Sequence, residues 1–281
     1  MRIMRLGPLF AVSLLFGTAI QAQQSPAPLA PTRDPTAITL LQKSVAAMAT
    51  SAPSDSSATG NISIVEGSTN ESGSISIQTL GTGDTAETID LPDGQRAVIY
   101  SYGDAKEVNG TQSVNPPVEL IVVDQCADFP LPFLSAILGN PDESFRYIGP
   151  ETLNGAPVQH IQVWNSFASK PRMQKLASFS TRDIWLDAES ELPMKISYQR
   201  QPGEGAVHVT RVEVFFSNYT KVNGVEYPFQ ISKSYNGLPW QTITIQSVAF
   251  NTGLTDTQFQ TETVSNGMGR RQCAATSYRL F

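Results

Sequence analysis

The chain has 281 residues, a formal net charge of −6, 16% charged residues and 40% apolar residues. That length and apolar content can fill a core in one domain or in two small ones. An acidic balance with no basic stripe makes a poor nucleic-acid binder, since phosphate neutralisation supplies most of that affinity, and it argues against docking on an anionic membrane surface.

Arg2 and Arg5 precede a charge-free, mostly apolar run from Leu6 to Ile20, and the small residue Ala22 offers a cleavage point. This is the layout of a secretory signal peptide over residues 1–22, with a periplasmic or secreted destination. The run is broken by Gly7, Pro8 and Gly17 and is shorter than the roughly 20 apolar residues of a spanning helix. An uncleaved anchor is the alternative. Cleavage would remove two arginines and no acid, so the mature charge would fall from −6 to −8. No later run has spanning length.

Residues 23–33, with Pro26, Pro28 and Pro31, form an extended tether. Asp34-Pro35 then supplies an N-cap acceptor and a first-turn proline. Ile38, Leu41, Val45 and Met48 share a face, which predicts a helix over 35–50. From residue 59 the period becomes two: Ile62 and Ile64, then Ile75 and Ile77, alternate with polar neighbours. Asn-Gly or Asp-Gly pairs recur at 93–94, 109–110, 154–155, 223–224 and 236–237. Such pairs tolerate the positive φ of tight hairpins, so the pattern predicts an antiparallel meander.

Pro116 to Pro141 interrupts the alternation. Leu131, Leu134 and Leu138 fall on one helical face, predicting a helix over 131–139. Residues 118–126 read as helix or strand, because short apolar runs do not discriminate. Strands resume at 183–186, 192–198, 207–216, 226–232 and 241–250. Regular alternation predicts one sheet with an apolar face and a wet face, covered by the helical segments or by its own curl. The main domain is placed at 34–260, followed by a polar tail at 261–281. In an oxidising compartment Cys126 and Cys273 are expected to pair and pin that tail; two separate thiols are the alternative.

Chemistry is sparse. No Gly-x-Ser-x-Gly elbow or phosphate-cradling glycine motif occurs. His160 and His208 fall inside predicted strands and read as half-exposed strand residues. Two histidines and two cysteines lie too far apart for a structural zinc site. Asp187, Glu189 and Glu191 alternate, but the glycine of a calcium loop is missing, so a bent hairpin with solvated acids is expected. No catalytic residue, metal ligand or cofactor is assigned, and the chain is read as a non-enzyme.

The C-terminal half carries a series of phrases. Asp183-Ile184-Trp185-Leu186-Asp187 and Glu191-Leu192-Pro193-Met194-Lys195-Ile196 come first. Phe215-Phe216-Ser217-Asn218-Tyr219 and Val222-Asn223-Gly224-Val225-Glu226-Tyr227-Pro228 follow. Phe250-Asn251-Thr252-Gly253-Leu254, Asp256 and Phe259 close the series. In this order, and with the leading helix, they resemble the LolA-like superfamily of exported bacterial proteins, which includes periplasmic lipoprotein carriers and a sensor of mislocalised lipoproteins. The resemblance implies a mainly β fold with a few helices: a single antiparallel sheet curled into a half-barrel, closed by the N-terminal helix and the mid-chain helical segment. It also implies an apolar cavity for acyl chains and no catalysis.

The shared apolar face then suggests a lining of Met194, Ile196, Val212, Val214, Phe216, Phe229, Ile231, Ile243 and Ile245. The cover would be Leu131, Phe133, Leu134, Ile137 and Leu138. Periodicity alone cannot tell such a lining from ordinary core, because both bury the face. The expected partner is an apolar ligand such as a lipid or an acylated protein. An envelope protein that meets the sheet edge or the cover is the alternative, and an exported enzyme of unrecognised type is the third.

Overall fold

The computed structural model describes residues 30–261, apart from 82, 102, 126, 202 and 204–208. The signal segment, most of the tether, His208, the expected Cys126–Cys273 pair and the tail beyond 261 lie outside the described residues. Among the described residues there are three α-helices: α1 (Pro35–Met48), α2 (Val118–Asp124) and α3 (Pro130–Gly139). Six strands precede α2: β1 (Asp55–Glu66), β2 (Thr69–Leu80), β3 (Asp84–Leu91), β4 (Gly94–Ser101), β5 (Asp104–Asn109) and β6 (Gln112–Val114). Seven follow α3: β7 (Glu143–Leu153), β8 (Ala156–Asn165), β9 (Arg182–Asp187), β10 (Pro193–Arg200), β11 (Thr210–Val222), β12 (Val225–Tyr235) and β13 (Leu238–Phe250). All pair antiparallel in one unclosed sheet, in the order β6-β5-β4-β3-β2-β1-β13-β12-β11-β10-β9-β8-β7. This is the curled half-barrel that the resemblance implied.

The turn signals act as hairpin chemistry predicts, with two shifts of register. Asn154-Gly155, Asn223-Gly224 and Asn236-Gly237 fill the central positions of two-residue turns, with φ of 51° and 87°, 48° and 86°, and 52° and 79°. Positive φ at both positions matches the right-handed twist of the flanking strands. At the other two sites the dipeptide is offset by one. Leu91 pairs with Gly94, so Pro92 and Asp93 make the turn. Asn109 pairs with Gln112, so Gly110 and Thr111 make it.

Register shifts curl the sheet. They fall at Thr59/Gly60, Tyr147/Gly149, Pro193/Lys195 and Lys233/Ser234, and each extra residue bends its strand. Gly60 is required at the first: a Cβ there would lie 2.3 Å from the Thr244 carbonyl oxygen.

The helices fill the concave side. Asp34 caps α1, accepting from the Thr36 and Ala37 amides at 2.9 and 3.3 Å, and its second oxygen accepts from the Tyr147 amide at 3.0 Å, tying the helix to β7. The buried stripe of α1 is Ala37, Leu41, Ser44 and Met48, rotated slightly from the predicted face, with Ile38 and Val45 on its flanks. Residues 118–124 resolve as helix. Arg182 on β9 donates to the carbonyls of Val122 and Val123, at 2.5 and 2.9 Å, which would otherwise be orphaned at the helix end. Behind α2 lies a 3-10 segment, Pro171–Ser180, that the alternation did not predict. Its Met173, Leu176 and Phe179 pack with Val122 and Phe167 in a small second core.

The late sequence phrases are structural locks. Asp55 accepts from the Thr252 amide and hydroxyl and from the Gly253 amide, at 2.6, 2.7 and 3.1 Å. The Tyr219 hydroxyl donates to the Pro193 carbonyl at 2.8 Å.

Candidate ligand cavity

The concave face has two ends with different fillings. At one end α1 and α3 plug the sheet. Ile196, Val212, Val214, Phe216, Ile231, Ile243 and Ile245 are all buried there in one cluster with Leu41, Met48, Leu131, Phe133, Leu134 and Ile137. Phe229 and Leu138 are half-buried against it. Met194 stands apart: it sits at the register shift between Pro193 and Lys195 and is only half-buried. Of the fourteen residues expected from sequence, Ile231 and Leu131 border a small cavity of about 110 Å³. Its other walls include Met48, Pro53, Phe129, Pro130, Tyr227 and Phe250.

At the other end a cavity of about 500 Å³ lies open under the helical segment. Its walls are Thr85, Glu87 and Ile89 of β3, Arg96, Val98 and Tyr100 of β4, Glu107 of β5, Tyr198 and Arg200 of β10, Lys233 and Tyr235 of β12, and Trp240 and Gln241 of β13. Asp124, ending α2, and Asp128 and Phe129, in the linker to α3, close it. Phe129 borders both cavities.

The sequence carried a signal for these residues that the apolar stripes concealed. A strand repeats its face every second residue. Lys233 and Tyr235 continue the stripe of Ile231; Tyr198 and Arg200 continue Ile196; Gln241 precedes Ile243; Glu87 precedes Ile89. The inward face therefore turns from apolar to charged along the same strands, and inward charges in phase with a core stripe mark a cavity or a partner, because an unpaired buried charge is costly.

The linker is held by ion pairs. Arg200 Nε meets Asp124 Oδ2 at 2.9 Å, and Lys233 Nζ bonds Asp128. The Gln125 side-chain amide donates to the Gly83 carbonyl at 3.3 Å. Burial pushes the Glu87 carboxyl up to about 7, and the nearby Asp128 adds to the rise while Lys233 opposes it. Burial also raises Asp124, against the pull of Arg200. Tyr100 and Tyr198 are held well above the usual phenol value, first by burial and then by the facing aspartates. Tyr235 and Trp240 stack with ring centres 4.6 Å apart.

The outer face carries a separate ladder. His160 pairs across strands with Trp185, and Trp185 with Lys195. The imidazole stacks on the indole at 4.4 Å, and Lys195 Nζ lies 3.8 Å from the indole centre. His160 also bridges Glu151 at 2.7 Å and Asp183 at 3.0 Å. This is a half-buried strand histidine, but a paired one. Asp187, with Glu189 and Ser190, forms a capped turn in which Oδ1 accepts from both amides, at 3.2 and 2.7 Å. Among the described residues no group of His, Cys, Asp and Glu could hold a metal ion, and no helix is long and apolar enough to cross a membrane.

No family model and no curated protein matches the chain. Solved structures do. A putative outer membrane lipoprotein-sorting protein domain from Vibrio parahaemolyticus superposes with a TM-score of 0.54 at 14% identity, over 80% of this chain and 96% of that one. A LolA superfamily protein from Nitrosomonas europaea gives 0.54 at 10% identity, over 80% and 97%. A DUF1329 family protein from Desulfovibrio piger gives 0.52 at 14% identity, over 80% and 96%. The fold is LolA-like, as the ordered phrases implied.

Proposed function

We propose that the protein is an exported, non-catalytic binding or carrier module that holds a lipid-type molecule, or the acyl chain of a modified protein, inside the half-barrel. One observation carries this reading: the chamber of about 500 Å³ between the concave face and the linker after α2. A cavity of this size is in the range of small-molecule sites. It adjoins the smaller apolar cavity at Phe129, which suits a ligand with a polar part and an apolar part. The LolA-like fold and the signal-peptide layout support a periplasmic or secreted location.

The test is a pair of native and denaturing mass spectra on protein purified gently from its own host. A discrete extra mass, lost on denaturation and extractable into organic solvent, supports the reading. A clean unliganded mass with nothing extractable overturns it.

A second reading rests on the open sheet. The edge strands β6 and β7 leave Val114 and Ile148 57% and 45% exposed, and an exposed edge can pair with a strand of an envelope protein. A protein that co-purifies and is released by charged substitutions at these two positions would favour it.

A further inference from the structure

We propose that the smaller cavity, at the start of α3, is a receptor for a neutral acyl carbonyl, an ester or an amide, whose chain passes Phe129 into the larger chamber. This rests on the binding-module reading above and adds the ligand class.

Four side-chain hydroxyls border that cavity: Ser56, Thr79, Ser135 and Tyr227. Two of them satisfy each other, since Ser56 Oγ and Thr79 Oγ1 lie 2.7 Å apart. The other two are unmet. Ser135 Oγ and Tyr227 Oη are both buried, and among the described residues neither has a hydrogen-bond partner. Ser135 stands one turn on from Leu131 and Pro132, which border the same space. A helical serine often donates to the carbonyl four residues back, yet this one does not. Buried hydroxyls without partners are costly, and two of them on one otherwise apolar wall mark the place of a polar ligand atom.

The chemistry of the wall narrows that atom. The Tyr227 phenol is held above its usual value, by burial first and the nearby Glu87 second, so it stays a proton donor. Each hydroxyl has one proton to place, and a carbonyl oxygen accepts protons while bringing none of its own. The start of α3 lies on the same wall without a side-chain cap, and its positive end also favours an acceptor. A free carboxylate accepts too, but among the described residues the wall holds no Lys, Arg or His and does hold Glu226, and a buried charge without a counter-charge is costly. The volume of about 110 Å³ takes roughly three or four groups the size of a water, which is a carbonyl and its first methylenes. Phe129 borders both cavities and gives the rest of the chain its way on.

The experiment is calorimetric titration of the protein at pH 7.5 with four probes of one chain length: methyl octanoate, N-methyloctanamide, octanoate and octanol. The account expects the ester or the amide to bind at least tenfold more tightly than octanoate and octanol. A lead for the ester points to a glycerolipid-type source, and a lead for the amide to an N-acylated one. Tyr227→Phe and Ser135→Ala remove hydroxyls that hold nothing else in the fold, so each should melt within a few degrees of the parent and lose about fivefold or more in affinity for the preferred probe. Equal or tighter binding of octanoate or octanol overturns the carbonyl receptor and leaves the binding-module reading standing. Unchanged affinity in both folded variants overturns the role of the two hydroxyls, as does a melt lowered well beyond a few degrees in both. Binding of none of the four overturns the receptor and the binding-module reading together.

Discussion

The two ends of the concave face are built from the same strands yet filled in opposite ways. Where α1 and α3 lie on the sheet, inward positions are Ile196, Val214 and Ile231, and helix side chains occupy the space between strands. Two to four residues further along, the same inward positions are Tyr198, Arg200, Lys233 and Tyr235, and the space stays open. The difference teaches that in this half-barrel apolar alternation reports where helices pack, and charge in phase with it reports where they do not. Apolar surface gains by meeting apolar surface; a lysine or glutamate keeps its position only with a counter-charge and room for solvent or ligand.

Substitutions at each end can break or sharpen that contrast. The largest effects are expected in the packed end. Phe133 and Phe216 are 2% and 3% exposed, so Phe133→Ala and Phe216→Ala should each cost about 3–5 kcal/mol in urea unfolding. A loss below about 1 kcal/mol at Phe133 would mean that α3 is a loose cover rather than core. In the open end Lys233→Met leaves Asp128 buried without its cation and should cost about 3 kcal/mol. The double substitution with Asp128→Asn should recover much of it. Additive losses would show that the ion pair is not what holds the linker.

Next comes a pH effect of defined sign. The Glu87 carboxyl, raised from about 4.5 to about 7 by burial first and Asp128 second, faces Lys233 of β12 and Tyr227 as well. Because the folded value lies above the unfolded one, its contribution is present in full below about pH 4.5 and is lost as pH rises through 7. Glu87→Gln should therefore raise stability at pH 8, on the order of 1–2 kcal/mol, and change little at pH 4. Glu143, in the packed end, is likewise pushed up to about 7 by burial, so Glu143→Gln gives the matched control. Thermal melts from pH 4 to 8 read both, and an equal gain at pH 4 and pH 8 would contradict the titration.

The smallest effect belongs to the outer ladder. Burial pulls His160 down, but hydrogen bonds to Asp183 and Glu151 outweigh it and leave the imidazole raised above 6.5. Its stabilisation is present below pH 6.5 and is lost as pH rises through the raised value. His160→Gln should cost less than about 1 kcal/mol at pH 5.5 and less still at pH 9.

Much of the fold was legible because it rests on local chemistry. Asp34-Pro35, the Asn-Gly turns and the alternating strands act through near neighbours; the cap and the turns lie where the sequence placed them or within one residue, while strand ends move by up to six, as where 207–216 becomes Thr210–Val222. The 3-10 segment Pro171–Ser180 was not read from the sequence: Met173, Leu176 and Phe179 repeat every third residue over one short stretch, and their burial depends on α2. The packed cluster was legible as an apolar face, but its filling by α1 and α3 needed tertiary structure. The chamber was missed for a physical reason: Lys233, Arg200 and Glu87 look like solvated strand residues until the curl of the sheet turns them inward to face Asp124 and Asp128.

The central claim is that the open end of the half-barrel is the binding site. Val98 borders the larger chamber and is half-buried, so Val98→Trp should obstruct it; Leu238, 71% exposed and bordering neither cavity, is the control for Leu238→Trp. Titration of both variants and the unaltered protein with a fluorescent fatty-acyl probe is the direct measurement. The account predicts at least a tenfold loss of affinity for Val98→Trp and none for Leu238→Trp, with both melting within a few degrees of the parent. Undiminished binding by a folded Val98→Trp protein would contradict it.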